Sequence, residues 1–117
     1  MGLVNVTIGN SVTEIHGLAF AENRLTNIII PNSVGMIRYS AFANNQLTNV
    51  TLGNSVRLID MGAFYNNKLS NITIPNSVKR IDSNAFAENK ITNVTIPDTV
   101  RILATNAFDD HVTITRR

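Results

Sequence analysis

The stretch Leu69-Ser70-Asn71-Ile72-Thr73-Ile74-Pro75-Asn76-Ser77-Val78, followed by Ile81, Ala85-Phe86 and Asn89, decides how the whole chain is read. Its first half alternates, with Ile72 and Ile74 apolar and Asn71 and Thr73 polar. Alternation of this kind with β-branched residues is the mark of a half-buried strand. Pro75-Asn76-Ser77 then turns the chain. Beyond the turn, Val78, Ile81 and Ala85-Phe86 are spaced by three to five residues. That spacing predicts a single helical or 3₁₀ turn, or an irregular arc, and is too short for a long helix.

The pattern recurs along the chain. Phe20, Phe42, Phe64, Phe86 and Phe108 stand 22 residues apart, and so do Ala19, Ala41, Ala63, Ala85 and Ala107. Val12, Val34, Val56, Val78 and Val100 keep the same register, as do Ile15, Ile37, Ile59, Ile81 and Leu103. One such unit cannot bury its apolar side alone, whereas stacked units bury each inward column against its neighbour. The period lies in the range of leucine-rich repeats. The predicted fold is an α/β-type solenoid: a right-handed leucine-rich-repeat arc of five 22-residue units. A parallel β-sheet near 5–8, 27–30, 49–52, 71–74 and 93–96 forms one face, and short turns, 3₁₀ or helical arcs form the other. The units run 3–24, 25–46, 47–68, 69–90 and 91–112 within a single domain spanning 1–117. A short closing strand at 112–115 is expected because Val112-Thr113-Ile114 repeats Val94-Thr95-Ile96 after a loop shorter by four residues. Arg116 and Arg117 behind it discourage edge-to-edge pairing.

Composition narrows the function. Charged residues are 15% of the chain, against roughly 25% in an average soluble domain, and Asn at 17 positions makes up much of the polar surface. The absence of Cys excludes disulfides, thiolate metal sites and a cysteine nucleophile. With no Trp and 6% aromatics, a stacking surface for single-stranded nucleic acid is not expected. A net charge of +2 is too small to imply a nucleic-acid partner. Apolar runs of about four residues fall far short of a membrane span. The opening Met1-Gly2-Leu3-Val4-Asn5 lacks a basic segment followed by an apolar one, so no signal peptide is expected there.

The run from Leu69 to Val78 with Ile81 and Ala85-Phe86, repeated in phase from Leu3 to His111, resembles the BspA-like leucine-rich repeats, also called the Treponema pallidum type. The resemblance implies a non-enzymatic protein-binding or adhesion module of a bacterial surface or secreted protein, with no cofactor. Two departures stand out. The family usually repeats at 23 residues, whereas this chain repeats at 22, and it commonly carries Cys where Asn23, Asn45, Asn67 and Asn89 stand here.

Three Asn columns run through the units. Asn23, Asn45, Asn67 and Asn89, with His111 ending the series, and Asn10, Asn32, Asn54, Asn76 and Asp98 in the turn, are read as structural. A stacked amide can donate to one coil and accept from another. Asn5, Asn27, Asn49, Asn71 and Asn93 face outward by alternation, beside the Thr ladder of Thr7, Thr51, Thr73, Thr95 and Thr113 that Ile29 breaks. From these columns Asn49, Thr51, Asn71 and Thr73, on the middle strands, are the expected protein-contact residues. The same array supports a minor alternative, an ice-binding Thr/Asn surface, which needs a flat face. The Asn-x-Thr sequons at Asn5, Asn49, Asn71 and Asn93 are read as by-products of the repeat.

Behind the turn, Arg57, Lys79 and Arg101 share a column, with Asp60 and Asp82 three residues after the first two, suggesting weak exposed pairs. Asp109-Asp110-His111 is the one cluster with catalytic-looking residue types and is read as a cap on the stack. Met36, Tyr39, Leu58 and Met61 place apolar side chains where other units carry Arg, Lys, Asp or Ser. They are a candidate self-association patch, and a homodimer through them is a second expectation. A structural or self-assembling scaffold without a ligand is the alternative to the binding module.

Overall fold

The computed structural model describes residues 2–117. Its strands, in chain order, are Glu14–Ile15 (β1), Asn27–Ile29 (β2), Met36–Ile37 (β3), Asn49–Thr51 (β4), Leu58–Ile59 (β5), Arg80–Ile81 (β6), Asn93–Ile96 (β7), Ile102–Leu103 (β8) and Thr113–Arg116 (β9). The continuous sheet is five-stranded and parallel, in the order β1-β3-β5-β6-β8. Its register pairs Ile15, Ile37, Ile59, Ile81 and Leu103 in one row and Glu14, Met36, Leu58, Arg80 and Ile102 in the next. The first row points into the core and the second outward, as the two-residue period of a strand requires.

This sheet occupies the side where the sequence predicts 3₁₀ or helical arcs, and no helix forms among the described residues. The reason lies in the turns that bracket each rung. Val34 N donates to Pro31 O at 3.1 Å, and seven residues later Ala41 N donates to Arg38 O at 3.3 Å, so the chain turns again before a helix can nucleate. A left-handed residue follows each of the first four rungs, at Leu18, Ser40, Gly62 and Asn84, and left-handed geometry cannot extend a right-handed helix. The rung's backbone groups are satisfied by the neighbouring coils instead.

The sheet expected on the other face is discontinuous. β2 pairs with β4 and β7 pairs with β9, both in parallel, as two separate ladders. Residues 5–8 and 71–74, expected as strands, lie outside them and make no backbone hydrogen bonds to other coils. Residues 71–74 nevertheless keep the exposed–buried alternation, with Ile72 and Ile74 inward. The inference of apolar in and polar out therefore holds, and the inference of a five-stranded ladder does not.

The closing strand also departs from expectation. β9 begins at Thr113 and pairs Asn93 with Thr113 and Thr95 with Thr115, an offset of 20 residues rather than 18. Thr115, not Thr113, thus continues the Thr column. An even shift keeps every side chain on its face, so alternation alone does not separate the two registers. Thr113 N donating to Thr92 O at 2.9 Å fixes the one observed.

Inside the stack, Phe20, Phe42, Phe64, Phe86 and Phe108 form one column, with successive ring centroids 5.4, 5.4, 5.4 and 5.1 Å apart. Each Phe amide donates to the Ala carbonyl of the next coil at 2.8 Å, from Phe20 to Ala41 through Phe86 to Ala107. Asn23, Asn45 and Asn67 are buried beside this column. Asn45 shows the pattern: Oδ1 accepts from Leu25 N at 3.0 Å, while Nδ2 donates to Phe42 O in its own coil at 3.1 Å and to Phe20 O in the preceding one at 2.9 Å. Asn67 and Asn89 repeat the arrangement. The second Asn column contributes less, with Asn54 N donating to Asn32 Oδ1 at 2.9 Å.

Candidate functional site

The outward columns follow directly from strand alternation. Asn49 and Thr51 flank the half-buried Val50 on β4, and both are exposed. Asn71 and Thr73 are exposed on the unpaired 71–74 segment. The four expected contact residues therefore lie on two different kinds of backbone, one laddered and one not. None of their side chains hydrogen-bonds another described residue, which leaves their amide and hydroxyl groups available to a partner. By contrast, the neighbouring Thr48 hydroxyl donates to Thr26 O at 3.3 Å.

Ile29 is the functional feature that alternation undervalues. It stands in the Thr column and is 70% exposed, more than any other large apolar side chain described. A shallow cleft lies on each side of it. One, of about 460 Å³, is lined by Asn5, Thr7 and Asn27; the other, of about 480 Å³, by Asn32, Thr51 and Gly53. In the sequence Ile29 is only a break in the ladder; its outward position on a strand was the available signal.

On the five-stranded sheet, Met36 and Leu58 are direct cross-strand partners and both are half-buried. Tyr39 and Met61 are 50% and 55% exposed. Ser40 N donates to Met61 O at 2.9 Å, joining the two coils just past the rungs. Tyr39 lies across Gly17, where an added Cβ would come within 2.3 Å of the ring. Met61, Tyr39 and Tyr65 line an open groove of about 300 Å³ with Ser40, Ser83 and Asn84. Tyr65 was not among the residues singled out by sequence.

The charged residues pair differently from expectation. Arg80, not Lys79, binds Asp82, with Nε–Oδ1 at 2.7 Å, because residues two apart share a face of an extended chain. Asp60 accepts from Met61 N at 2.8 Å rather than from Arg57. Glu14 on β1 binds Arg38, whose hydrogen bond holds the carboxyl below its ordinary value. The Asp109-Asp110-His111 cluster makes capping bonds: Asp109 Oδ1 accepts from Glu88 N at 2.9 Å, and His111 Nε2 lies 3.1 Å from Ile91 O. His111 thus ends the column that Asn89 leaves.

The sequence matches the BspA type leucine rich repeat region over residues 2–115, in six copies. The chain belongs to the BspA-type leucine-rich repeat family. As a BspA-type array it is a parallel β-solenoid of about five turns, and its fold is similar to that of a leucine-rich repeat protein from Bacteroides ovatus ATCC 8483, with a TM-score of 0.62 and 22% identity. That match covers 97% of this chain and 39% of the Bacteroides chain, so the BspA-type array described here spans about two fifths of that structure's length. No curated protein sequence matches it. No helix among the described residues is long and apolar enough to cross a membrane.

Proposed function

We propose that this chain is a non-enzymatic protein-binding module, of the adhesion type found in surface or secreted proteins, and that Asn49, Thr51, Asn71 and Thr73 contact the partner. The reading is supported most by the outward columns themselves. They set short polar side chains, unengaged by the other described residues, outward on successive coils. Short side chains on a fixed backbone lose little conformational entropy on contact. Ile29, at the edge of the array, supplies an apolar anchor of the kind such polar surfaces need. Family membership supports a repeat module that works by contact. The ice-binding alternative is weakened by Ile29 and by the break at 71–74, since both interrupt a regular flat Thr array.

The test uses a panel of purified extracellular-matrix proteins as probes in surface plasmon resonance. The Thr51→Lys/Thr73→Lys variant is expected to weaken the binding shown by the parent about tenfold or more, with an unchanged thermal unfolding midpoint. If the parent binds none of the panel, or the variant binds as well as the parent, this assignment of the contact surface fails.

A further inference from the structure

One row of cations on the outer surface stands without counter-ions. Arg57, Lys79 and Arg101 hold the same position on three successive coils, just ahead of β5, β6 and β8. Lys79 N donates to Arg57 O and Arg101 N donates to Lys79 O, each at 2.9 Å, so the backbone keeps the three in register. All three are exposed, and none makes a side-chain hydrogen bond or ion pair with another described residue. The acids that follow them are engaged elsewhere: Asp82 binds Arg80, and Asp60 accepts from Met61 N. Asp98, in the turn ahead of Arg101, is offset by two further guanidinium groups on this edge. Arg116 Nη2 donates to Val100 O at 2.7 Å, and Arg117 Nη2 donates to Asn76 Oδ1 at 2.8 Å.

Such a row opposes folding, because like charges facing each other on adjacent strands repel and the strands lie only about 4.8 Å apart. The coil itself does not require a cation there. Thr13 and Gly35 fill the same position in the first two coils, joined by the same kind of bond from Gly35 N to Thr13 O at 2.8 Å. The other cations that recur on successive coils, Lys68 and Lys90, share their return loops with Glu88, Asp109 and Asp110. The row of Arg57, Lys79 and Arg101 is thus a charge pattern that folding does not account for and an anionic partner does.

We propose that this row binds a linear polysaccharide carrying one carboxylate or sulfate per sugar, laid along the stacking axis. The interval between charges points to it. The cations recur once per coil, at about 4.8 Å, and a pyranose ring with its linking oxygen extends a polysaccharide by close to that length. On an extended acidic peptide the side chains of one face recur at about 6.6 Å, and along one DNA strand the phosphates recur at about 3.4 Å. The turns ahead of the cations add the exposed Asn54, Ser55 and Asn76, uncharged donors and acceptors suited to sugar hydroxyls. The backbone beneath the row is already fixed by its bonds between coils, so weak contacts add with little ordering cost. The surface is separate from the outward Asn and Thr columns, which precede the turn.

The experiment is calorimetric titration of the full chain at physiological salt. The probes are chondroitin sulfate and polygalacturonate, each with one anion per sugar, and the tighter binder of the two identifies sulfate or carboxylate as the preferred group. Hyaluronate, anionic at every second sugar, should bind more weakly than chondroitin sulfate, and neutral dextran should not bind. Arg57→Gln, Lys79→Gln and Arg101→Gln should each weaken binding about twofold to fivefold, with an unchanged circular dichroism spectrum. The variant Lys68→Gln/Lys90→Gln, which removes two charges from the return loops, should bind as the parent does. Gly35→Arg tests the row in the opposite direction. A Cβ there has Thr13 O, at 3.8 Å, as its nearest atom across the fold, and a fourth cation in the row should tighten binding by a similar factor. Failure of both one-anion-per-sugar probes to bind overturns the proposal. So does hyaluronate or polyglutamate binding as tightly as they do, a loss in Lys68→Gln/Lys90→Gln equal to that in the row variants, or no gain in Gly35→Arg.

Discussion

Asn67 reaches back a full coil to Phe42, its Nδ2 lying 3.0 Å from that residue's carbonyl oxygen. The same amide nitrogen donates to Phe64 O at 3.1 Å, and Oδ1 takes the buried Leu47 amide at 3.0 Å. Asn67→Ala strands the buried Leu47 amide and removes one of the two Asn donors on each of the Phe42 and Phe64 carbonyls, which keep Asn45 and Asn89. The expected loss is about 2–4 kcal/mol, read from urea unfolding. Asn23 bonds Leu3 N, Phe20 O and Ala21 O and, among the described residues, no carbonyl of another coil. Asn23→Ala should therefore cost clearly less, and equal losses would show that the link between coils contributes nothing.

The Phe column supports a second prediction. Phe64 is fully buried between rings 5.4 Å away on either side. Phe64→Ala opens a cavity that neighbours held in register on both sides cannot fill, at a cost of about 3–5 kcal/mol. Phe20, half-buried with a ring on one side only, should lose less as Ala. Chemical denaturation of the two variants side by side distinguishes a stacked core from a loosely packed one.

Backbone conformation gives a third. Leu18 adopts φ 62° at the position where Gly62 adopts φ 64°, and a left-handed β-carbon costs roughly 1–2 kcal/mol. Leu18 is 56% exposed and makes little core contact, so Leu18→Gly should raise the thermal midpoint. Gly53→Ala should lower it, because a Cβ there would sit 2.6 Å from both Ile30 O and Pro31 O, and backbone atoms have nowhere to go.

Acid should find the Glu14–Arg38 pair. The Arg38 hydrogen bond holds the Glu14 carboxyl below its ordinary 4.5. The stability this contributes is fully present above 4.5 and is lost as pH falls through the lower folded value. In an NMR titration, Arg38→Gln should move the Glu14 midpoint up toward its ordinary value. A midpoint that stays put would show that the ion pair does not persist in solution.

The Phe and Asn columns were legible in the sequence because they repeat identity as well as polarity, so that their stacking follows from the period alone. Ile81 and its equivalents were placed correctly in the core but on the wrong element. A two-residue rung such as Arg80–Ile81 carries no local strand signal, since its partners stand 22 positions away. The gap at 71–74 was invisible for a different reason. Asn71, Ile72, Thr73 and Ile74 have the same pattern as the laddered Asn93–Ile96, so the side chains do not report whether the backbone pairs. The four expected contact residues stand outward as the alternation implies, while Ile29 shows in the sequence only as a break in the Thr ladder and Tyr65 is not singled out, because one apolar side chain among polar neighbours carries no periodic signal.

The backbone bonds between coils have a consequence for how such a chain changes over generations. They run to residues about one repeat away, as from Arg24 to Leu3, Gln46 to Leu25 and Lys68 to Leu47. Loss or gain of a single residue shifts the coil that carries it against its neighbour unless a turn absorbs the change, whereas a whole unit of 22 can leave or enter and each surviving Phe still meets another Phe. Recombination between misaligned copies of the gene segment does just that. The architecture thus tolerates the most common error of repetitive DNA and resists the small ones.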